Sequence, residues 1–471
     1  MSNYSTNSVY LFYCFIFFAC QNSEQVDTPS ESFPVKSISD IGIDDFRPAR
    51  ECDECHPQHY EEWKHSMHAF AMKDPVFLRG WNDEQALHPE KGERFCIQCH
   101  SPVAFVTGTY LNEIYSAEEM EELGVPEVIR EGIGCDFCHS VTRPSKIVET
   151  PDNLEAVAEY NLYPGEGIKF GPIEPDSAMK SLLSFYGSPH EVENNSLFKS
   201  SQVCLPCHDM SVRGVGAEKT FTEWELAEEF SMGNIHSCQE CHMPLTTRKV
   251  VNNDEAPVRI VHRHTFVGVD LDLSKPAEDS PQFEDVTDLL EGAVTLEFDT
   301  LIDSINIGDV LTIPVVVTND KVGHSIPSGV SFAREAWLEV KVTINDNILF
   351  ESGLLSSNTD TLEISDNNLL LFTSYLISDT LTGKITDLVS QTHGIIDNTL
   401  KASSKKDHSY EFQLIEDSIP VNSNGELVIQ LRMLFRPFKP RLLADHDSLL
   451  VNLPIFEMAS LVDTVYIKSN Q

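Results

Sequence analysis

Basic residues are scarce in this chain of 471 residues. Lysine and arginine together number 33, against 74 aspartates and glutamates, which gives a formal net charge of −41 at pH 7. Such a surplus of negative charge repels nucleic acids and anionic lipid surfaces, so we predict no nucleic-acid partner. The surplus either attracts basic partner proteins or forms a solvated acidic surface, and the sequence leaves both interpretations open.

Long hydrophobic runs are missing beyond the first residues. The run from Val9 to Ala19 is shorter than the about 20 apolar residues that span a bilayer, but it suits the core of an export signal. Cys20 follows Ala19 directly, as at a lipoprotein cleavage site, although no lysine or arginine precedes the run. We predict a lipoprotein-type signal peptide at residues 1–20, with an ordinary cleaved signal as the alternative. Residues 21–46 are predicted to be a flexible tether, and the lipid anchor to be the only membrane contact.

Cysteine is absent after position 241, and ten of the twelve cysteines belong to one repeated pattern. Five copies of Cys-Xaa-Xaa-Cys-His occur: Cys52, Cys55 and His56; Cys96, Cys99 and His100; Cys135, Cys138 and His139; Cys204, Cys207 and His208; Cys238, Cys241 and His242. Two thiols three positions apart can both reach the vinyl groups of a haem, and the next imidazole then binds the iron. We predict five covalently bound haem c groups, with these five histidines as proximal ligands.

The alternatives for these cysteines are zinc sites or disulfide bonds. Zinc ribbons pair two Cys-Xaa-Xaa-Cys knuckles about 15–20 residues apart. Here the first cysteines of successive motifs lie 44, 39, 69 and 34 positions apart, and the number of motifs is odd. Only Cys14 and Cys20 lie outside the motifs, both in the N-terminal apolar stretch. The haem interpretation is therefore favoured over both alternatives.

A haem iron also needs a sixth ligand or an open face, and twelve further histidines are available. The local sequence favours five candidates as distal ligands: His68, His190, His236, His324, and at least one of His262 and His264, with His264 preferred. For each of them a polar surface or turn histidine is the alternative. The remaining histidines have weaker contexts (His59, His65, His88) or polar surroundings (His393, His408, His446), and Met72 and Met243 suit packing better than ligation.

The pattern of apolar and polar residues changes near residue 270. Residues 47–269 hold all five motifs and are predicted to form a pentahaem region of helices and irregular loops, with helical patterns at Pro57–Lys73 and Ala117–Arg130. Residues 270–471 are predicted to form an antiparallel β-sandwich of the immunoglobulin or fibronectin kind. Its seven strand candidates are Val294–Phe298, Val310–Val317, Ala336–Ile344, Leu369–Leu376, Tyr410–Ile415, Leu427–Phe435 and Val465–Ile467. We call these two parts the haem region and the β-domain; the predicted fold class is α+β multidomain.

Several segments resemble the cytochrome c-554-like multihaem family. They are Tyr60-Glu61-Glu62-Trp63 with Ser66 and His68, Gly171-Pro172-Ile173 before Ser188-Pro189-His190, Ser200-Ser201-Gln202-Val203-Cys204, and Cys238-Gln239-Glu240-Cys241-His242-Met243-Pro244. The Gly323-His324 loop and Arg334 to Val340 resemble the β-domain that often follows the haems. The resemblance implies electron transfer through packed, largely bis-histidine haems, and it supports His68, His190 and His264 as ligands. Tetrahaem members have four motifs, so the fifth site has no counterpart there.

The sequence thus predicts an exported pentahaem cytochrome c that passes single electrons between redox partner proteins, which are basic proteins or other cytochromes. Its expected location is the periplasm or the outer membrane, facing either side. Bis-histidine ligation predicts low potentials relative to methionine–histidine ligation. The main alternative is an enzyme that reduces or oxidises a small nitrogen or sulfur compound at one five-coordinate haem. A structural cell-surface protein is disfavoured by five attachment motifs.

Overall fold

The structure of the protein is a computed structural model. It describes residues 33–88, 92–109, 114, 116–148, 158–175, 187–231, 236–362, 366–421 and 423–468. The predicted signal peptide at residues 1–20 and the predicted tether as far as residue 32 lie outside the described residues. Within the described ranges, no helix has both the length and the apolar character that crossing a bilayer requires.

The haem region consists of short helices joined by irregular segments. Its α-helices are Pro57–Lys64, Met67–Phe70, Pro75–Leu87, Gly92–His100, Pro102–Thr107, Ala117–Glu122, Glu127–Arg130, Cys135–Cys138, Thr220–Ser231 and Cys238–His242. The 3-10 turns of this region are Ile38–Asp40, Ile43–Asp45, Ala49–Cys52, Ser196–Lys199 and Ser201–Val203. Proline starts three of the helices, where its missing N–H group costs nothing.

The helical pattern predicted over Pro57–Lys73 is interrupted in the structure at Ser66. The Ser66 hydroxyl donates to the carbonyl of Trp63 and accepts from the N–H of Ala69, so it caps a second, separate helix. This break turns the second helix, and with it His68, away from the direction of the first. The pattern predicted over Ala117–Arg130 is likewise divided into two helices in the structure.

Four pairs of short strands complete the haem region. They are Lys146–Ile147 with Ala158–Glu159, Ile168–Gly171 with Glu191–Asn194, Met210–Val212 with Val215–Glu218, and Leu245–Lys249 with Val258–His262. The second pair is parallel and the other three are antiparallel. These strands carry backbone carbonyls that contact the motif histidines, as described below.

The β-domain has three antiparallel sheets with one short parallel pairing. Its strands are Thr295–Phe298, Ser304–Ile305, Val310–Asn319, Glu335–Ile344, Asn347–Ser352, Leu370–Phe372, Ser374–Asp379, Lys384–Thr386, Gly394–Asp397, Ser404–Gln413, Glu426–Arg436 and Phe456–Ile467. The largest sheet is built around Glu335–Ile344 and Glu426–Arg436, and a second sheet around Val310–Asn319. Two α-helices, Phe283–Leu290 and Asp447–Leu450, and the 3-10 turns Ala277–Asp279, Val389–Gln391, Glu416–Ser418 and Pro440–Leu443 flank the sheets.

One hydrophobic core joins the two larger sheets of the β-domain. Alternate side chains of Val310–Asn319 are fully buried, and they pack with buried side chains of Glu335–Ile344 and Glu426–Arg436 in a single cluster. Period-two burial of this kind is expected when two sheets pack face to face. All seven predicted strands overlap observed ones, and the predicted α+β architecture is confirmed. The two-residue parallel pairing and the sheet built on Ser374–Asp379 were not predicted.

Polar contacts join the β-domain to the haem region. The Arg213 guanidinium donates to the Ser390 and Thr392 carbonyls, and the Glu84 carboxylate accepts from the N–H of Ser390. The Glu223 carboxylate accepts from the N–H of Ser325 at 3.1 Å. This last contact holds the loop that contains His324 against the haem region.

Candidate haem-binding region

The five motifs share a local geometry that places both cysteines on one side of a helical turn. Two motifs lie within or at the end of an α-helix (Gly92–His100 and Cys238–His242), one begins the helix Cys135–Cys138, and the other two follow 3-10 turns. Residues three apart on a helical turn face the same way, as attachment of one macrocycle through two thioether bonds requires. All ten motif cysteines are free thiols in the structure.

Thiols of different motifs meet in three places. Cys52 contacts Cys135, Cys99 contacts Cys207, and Cys204 contacts Cys238. The first motif therefore adjoins the third, the second adjoins the fourth, and the fourth adjoins the fifth. Cys138 and Cys207 also feel each other's charge, which brings the third motif near the fourth.

The proximal histidines are oriented by the backbone. In four of the five, Nδ1 contacts a backbone carbonyl. Nδ1 of His56 lies 2.8 Å from the Val250 carbonyl, and Nδ1 of His100 lies 3.0 Å from that of Ala71. Nδ1 of His139 lies 2.6 Å from the Phe170 carbonyl, and Nδ1 of His242 lies 2.5 Å from that of Val267. A carbonyl oxygen only accepts, so Nδ1 carries the proton and donates. The lone pair of each imidazole then lies on Nε2, which is the arrangement of a metal-ligating histidine.

Four proximal imidazoles each face a second imidazole. The ring centres are 6.3 Å apart for His56 and His190, for His139 and His264, and for His242 and His324, and 6.4 Å apart for His208 and His68. The ring planes are inclined by 19° to 36°. At these separations the two rings of a pair are too far apart to stack directly on each other.

The spacing of the pairs fits a metal ion between the rings. With metal–nitrogen bonds of about 2.0 Å, and ring centres about 1.1 Å beyond each nitrogen, two imidazoles on opposite sides of one metal lie about 6.2 Å apart. The observed separations match this value at all four pairs. Nδ1 of His190, His264 and His324 also contacts a backbone carbonyl, so these rings too have Nε2 available. The residues present therefore fit a six-coordinate haem iron at four motifs.

Burial keeps these imidazoles neutral, as ligation requires. Desolvation lowers the pKa of His68 to about 3 and that of His208, His100 and His324 to about 4. Neighbouring imidazoles lower the pKa of His68 and His208 further, since two positive charges would repel each other. A neutral ring keeps the lone pair that binds a metal.

The second motif differs from the other four. Phe77 stacks on the ring of His100, with ring centres 3.6 Å apart and planes inclined by only 6°. All seventeen histidines lie within the described residues, and none of them faces His100 at the spacing of the four pairs. Phe77 holds the His100 ring in place but supplies no ligand.

The other histidines named from the sequence lie elsewhere. His236 is at the surface, with a side chain 72% exposed next to Glu240, and it faces no proximal imidazole. His262 is half-buried and contacts the Met243 carbonyl, whereas its neighbour His264 takes the place opposite His139. His65 pairs with Glu61 on the surface of its helix.

His59 lines the cavity, although its sequence context did not favour it as a ligand. Its ring lies edge-on to His264, with centres 4.7 Å apart, and 5.9 Å from His56, between two of the imidazole pairs. Its Nδ1 is buried and has no hydrogen-bond partner among the described residues. The only sequence signal was its distance of three residues from the motif histidine, which is one turn along the helix that follows.

A single large cavity connects these residues. Its volume is about 3000 Å³, several times the about 300–1,000 Å³ of a pocket for one small ligand. All five proximal histidines and the four histidines opposite them line it, together with mainly apolar surface. Buried polar atoms at its walls lack partners among the described residues, among them Nε of Arg334 and Oε2 of Glu218. No group of three histidine, cysteine or carboxylate side chains suited to a metal ion occurs in the described part of the chain.

Comparisons with known proteins agree with this geometry. Residues 51–140 match the family model of cytochrome c554 and c-prime. The structure resembles a penta-heme cytochrome c552 from Thermochromatium tepidum, with a TM-score of 0.61 and 18% sequence identity over 91% of this chain and 100% of that chain. The sporulation control protein Spo0M from Bacillus subtilis aligns with only 38% of this chain and 51% of its own, at 10% identity and a TM-score of 0.16. No curated protein sequence matches the chain.

The family match covers the first three motifs, and the structural match extends the likeness of fold through the β-domain. Covalent haem c and a broad role in electron transfer follow from the family. The chain therefore resembles multihaem cytochromes c: residues 51–140 match the cytochrome c554 and c-prime family, and the fold, including the antiparallel β-domain, resembles that of a penta-heme cytochrome c.

Proposed function

We propose that the chain binds five haem c groups, one at each motif, and carries single electrons along them. The observation that carries this proposal is the set of four imidazole pairs with ring centres 6.3 to 6.4 Å apart. When bound, the iron supplies a one-electron couple between its ferric and ferrous forms. The pentahaem neighbour supports the number five.

Contacts between the motifs support an order of the sites. Contacts between motif thiols support a path from the first motif to the third, then to the fourth and the fifth, with the second motif beside the fourth. Carbonyls of Val250, Ala71, Phe170 and Val267 hold the proximal rings, so neighbouring sites keep fixed separations. Two neutral imidazoles at a site favour the ferric form relative to a thioether ligand and so lower the potential.

The sites nearest the surface are those of the first and fifth motifs. Cys55 and Cys241 are exposed, whereas the other eight motif cysteines are half-buried. We propose that electrons enter and leave there, through basic proteins or other cytochromes. The acidic residues Asp53 and Glu54 beside Cys55, together with the net charge of −41, support a basic partner.

Export is part of the proposal because haem is attached to such motifs outside the bacterial cytoplasm. The signal peptide at residues 1–20, with Cys20 as a lipidated residue, would place the protein in the periplasm or on the outer membrane. Cell fractionation of the wild type and of Cys20→Ser tests this. Loss of membrane association in the variant alone is the expected result.

Distal variants test the ligand pairs. His190→Ala should convert one of the five irons from low spin to high spin, because only one imidazole remains there. Electron paramagnetic resonance and the mass of the purified chain measure the spin states and the number of haems. His65→Ala is the matched control, since His65 lies near the same motif but on the surface. Equal spectra for both variants would contradict the proposed pair.

A second function is favoured by one observation, the His100 ring without an opposing imidazole. An iron bound there would keep an open face, at which a small nitrogen or sulfur compound could react. Carbon monoxide uptake by the reduced protein measures this. One molecule per chain supports an open second site, and no uptake leaves electron transfer as the whole function.

A further inference from the structure

Glu218 is a buried carboxyl group at the seam between the haem region and the β-domain. It ends the strand Val215–Glu218, is 7% exposed and lines the haem cavity. One oxygen, Oε1, accepts hydrogen bonds from the backbone N–H and the hydroxyl of Thr220. The other oxygen, Oε2, is buried and has no hydrogen-bond partner among the described residues.

No cation within the described ranges forms an ion pair with Glu218. The neighbouring Lys219 pairs with Asp209 at 2.6 Å instead. Arg334 and Glu218 both lie beside Gly329, but the two terminal nitrogens of Arg334 are bonded to Asp270 at 2.8 and 2.9 Å. An ionised carboxylate without a partner is costly at such a buried position.

The other charges around this carboxyl group are negative. Asp209 precedes the partner strand, and Glu223 lies on the helix that follows, where it binds Ser325 and Ser328 of the β-domain. Burial, with a smaller contribution from these two carboxylates, raises the pKa of Glu218 to about 8 against the opposing effect of the hydrogen bonds from Thr220. The group therefore changes its protonation state near physiological pH.

Glu218 also lies close to two haem attachment sites. Its negative charge raises the pKa of the Cys99 thiol, and Cys99 contacts Cys207 of the fourth motif. His100 and His208 line the same cavity. A change of charge at either site is therefore felt at this carboxyl group, with little screening in the buried interior.

We propose that Glu218 is a redox-linked proton site for the second and fourth motifs, which rests on the proposed function of electron transfer. When a partner delivers one electron to one of the haem irons that the second and fourth motifs would hold, the Glu218 carboxylate would take one proton from solvent and form one O–H bond. The charge of the iron and the carboxyl group together stays constant. Moving charge into the buried cavity is thereby avoided.

Thermodynamic linkage between electron and proton binding gives the direction of the pH dependence of the potential. An added electron favours the protonated carboxyl group, so protonation in turn favours reduction by the same free energy. The potential of an adjacent site should therefore fall as pH rises through the titration of Glu218. The equilibrium between oxidised and reduced forms shifts at most tenfold per pH unit, which is about 59 mV.

Redox titrations of the full haem-loaded protein between about pH 5 and 10 test the proposal. In the wild type, at least one potential should fall with rising pH. In Glu218→Gln that potential should stay at its low-pH value across the range, because the neutral amide resembles the protonated acid. Glu218→Asp retains a carboxyl group and should restore the dependence.

Glu223→Gln is the matched control, since it removes a neighbouring carboxylate at the same seam that already has hydrogen-bond donors. It should move the potential and shift its fall to lower pH, because Glu223 raises the pKa of Glu218, but the fall itself should remain. Infrared difference spectra, reduced minus oxidised, should show a protonated carboxyl band in the wild type that is absent in Glu218→Gln. If that variant does not fold, isotope-labelled glutamate in the wild type tests the band directly.

The outcomes separate the two proposals. Unchanged pH dependence in Glu218→Gln, or a difference spectrum without a carboxyl band, overturns the proton site and leaves electron transfer intact. A chain without attached haem or without reversible titration overturns the proposed function itself.

Discussion

The two halves of the molecule bury their interiors by different means. In the β-domain, Leu338, Val340, Ile429 and Leu431 are fully buried within one continuous core. In the haem region, the apolar side chains form smaller separate clusters around a cavity of about 3000 Å³. The haem region therefore surrounds a space that bound groups can fill, whereas the β-domain fills its core with its own side chains.

Absence of haem should produce the largest difference in protease resistance between the haem region and the β-domain. A chain produced without haem attachment should leave residues 47–269 open to protease, because the cavity walls lose the groups that they pack against. The β-domain should remain as a resistant fragment. Limited proteolysis with mass spectrometry measures this, and a haem-free chain that resists cleavage throughout would contradict the comparison.

A cavity created in the β-domain core should lower stability in the ordinary way. Leu431→Ala removes a fully buried side chain, and such changes cost about 2–5 kcal/mol of unfolding free energy. Leu381→Ala is the control, since Leu381 is 96% exposed and its loss should stay within about 0.5 kcal/mol. Urea unfolding followed by tryptophan fluorescence measures both, and equal effects would show that the core is not the stabilising element.

The smallest expected effect is a pH dependence within the β-domain. Burial lowers the pKa of Lys439 to about 8, from 10.5 in the unfolded chain. Between these two values the unfolded chain binds more protons, so the unfolding free energy should rise with pH from about 8 to about 10.5. Lys439→Met should flatten that rise. Urea midpoints at several pH values test it, and equal slopes in both proteins would show that Lys439 is already neutral or already paired.

The sequence predicted the parts of the haem sites but not how they combine. The attachment motif is local, because both thiols and the proximal imidazole fall within five residues. The second imidazole is brought in by tertiary structure, as with His190, which stands far along the chain from His56 yet lies opposite it. His262 and His264 lie in the same short segment, and the sequence preferred His264 without excluding His262; the structure has His264 opposite His139.

Long strands were more predictable from the sequence than short strands and helix ends. Alternation in Val310–Asn319 and Glu426–Arg436 gave long strands because one face of each is buried in the core. Short strands such as Ser304–Ile305 carry no such pattern, since two residues cannot show a period. The break at Ser66 depends on a side-chain cap, which a helical pattern of apolar residues does not reveal.

The position of His324 has a consequence for how the protein is made. Its imidazole comes from the last domain of the chain, yet it faces the histidine of the fifth motif. A polypeptide interrupted before Gly323 would hold every attachment cysteine and still lack one of the four opposing rings. Under the proposed arrangement, the final iron reaches its mature ligand set only after synthesis of the β-domain, so the colour of the product reports whether the chain was completed.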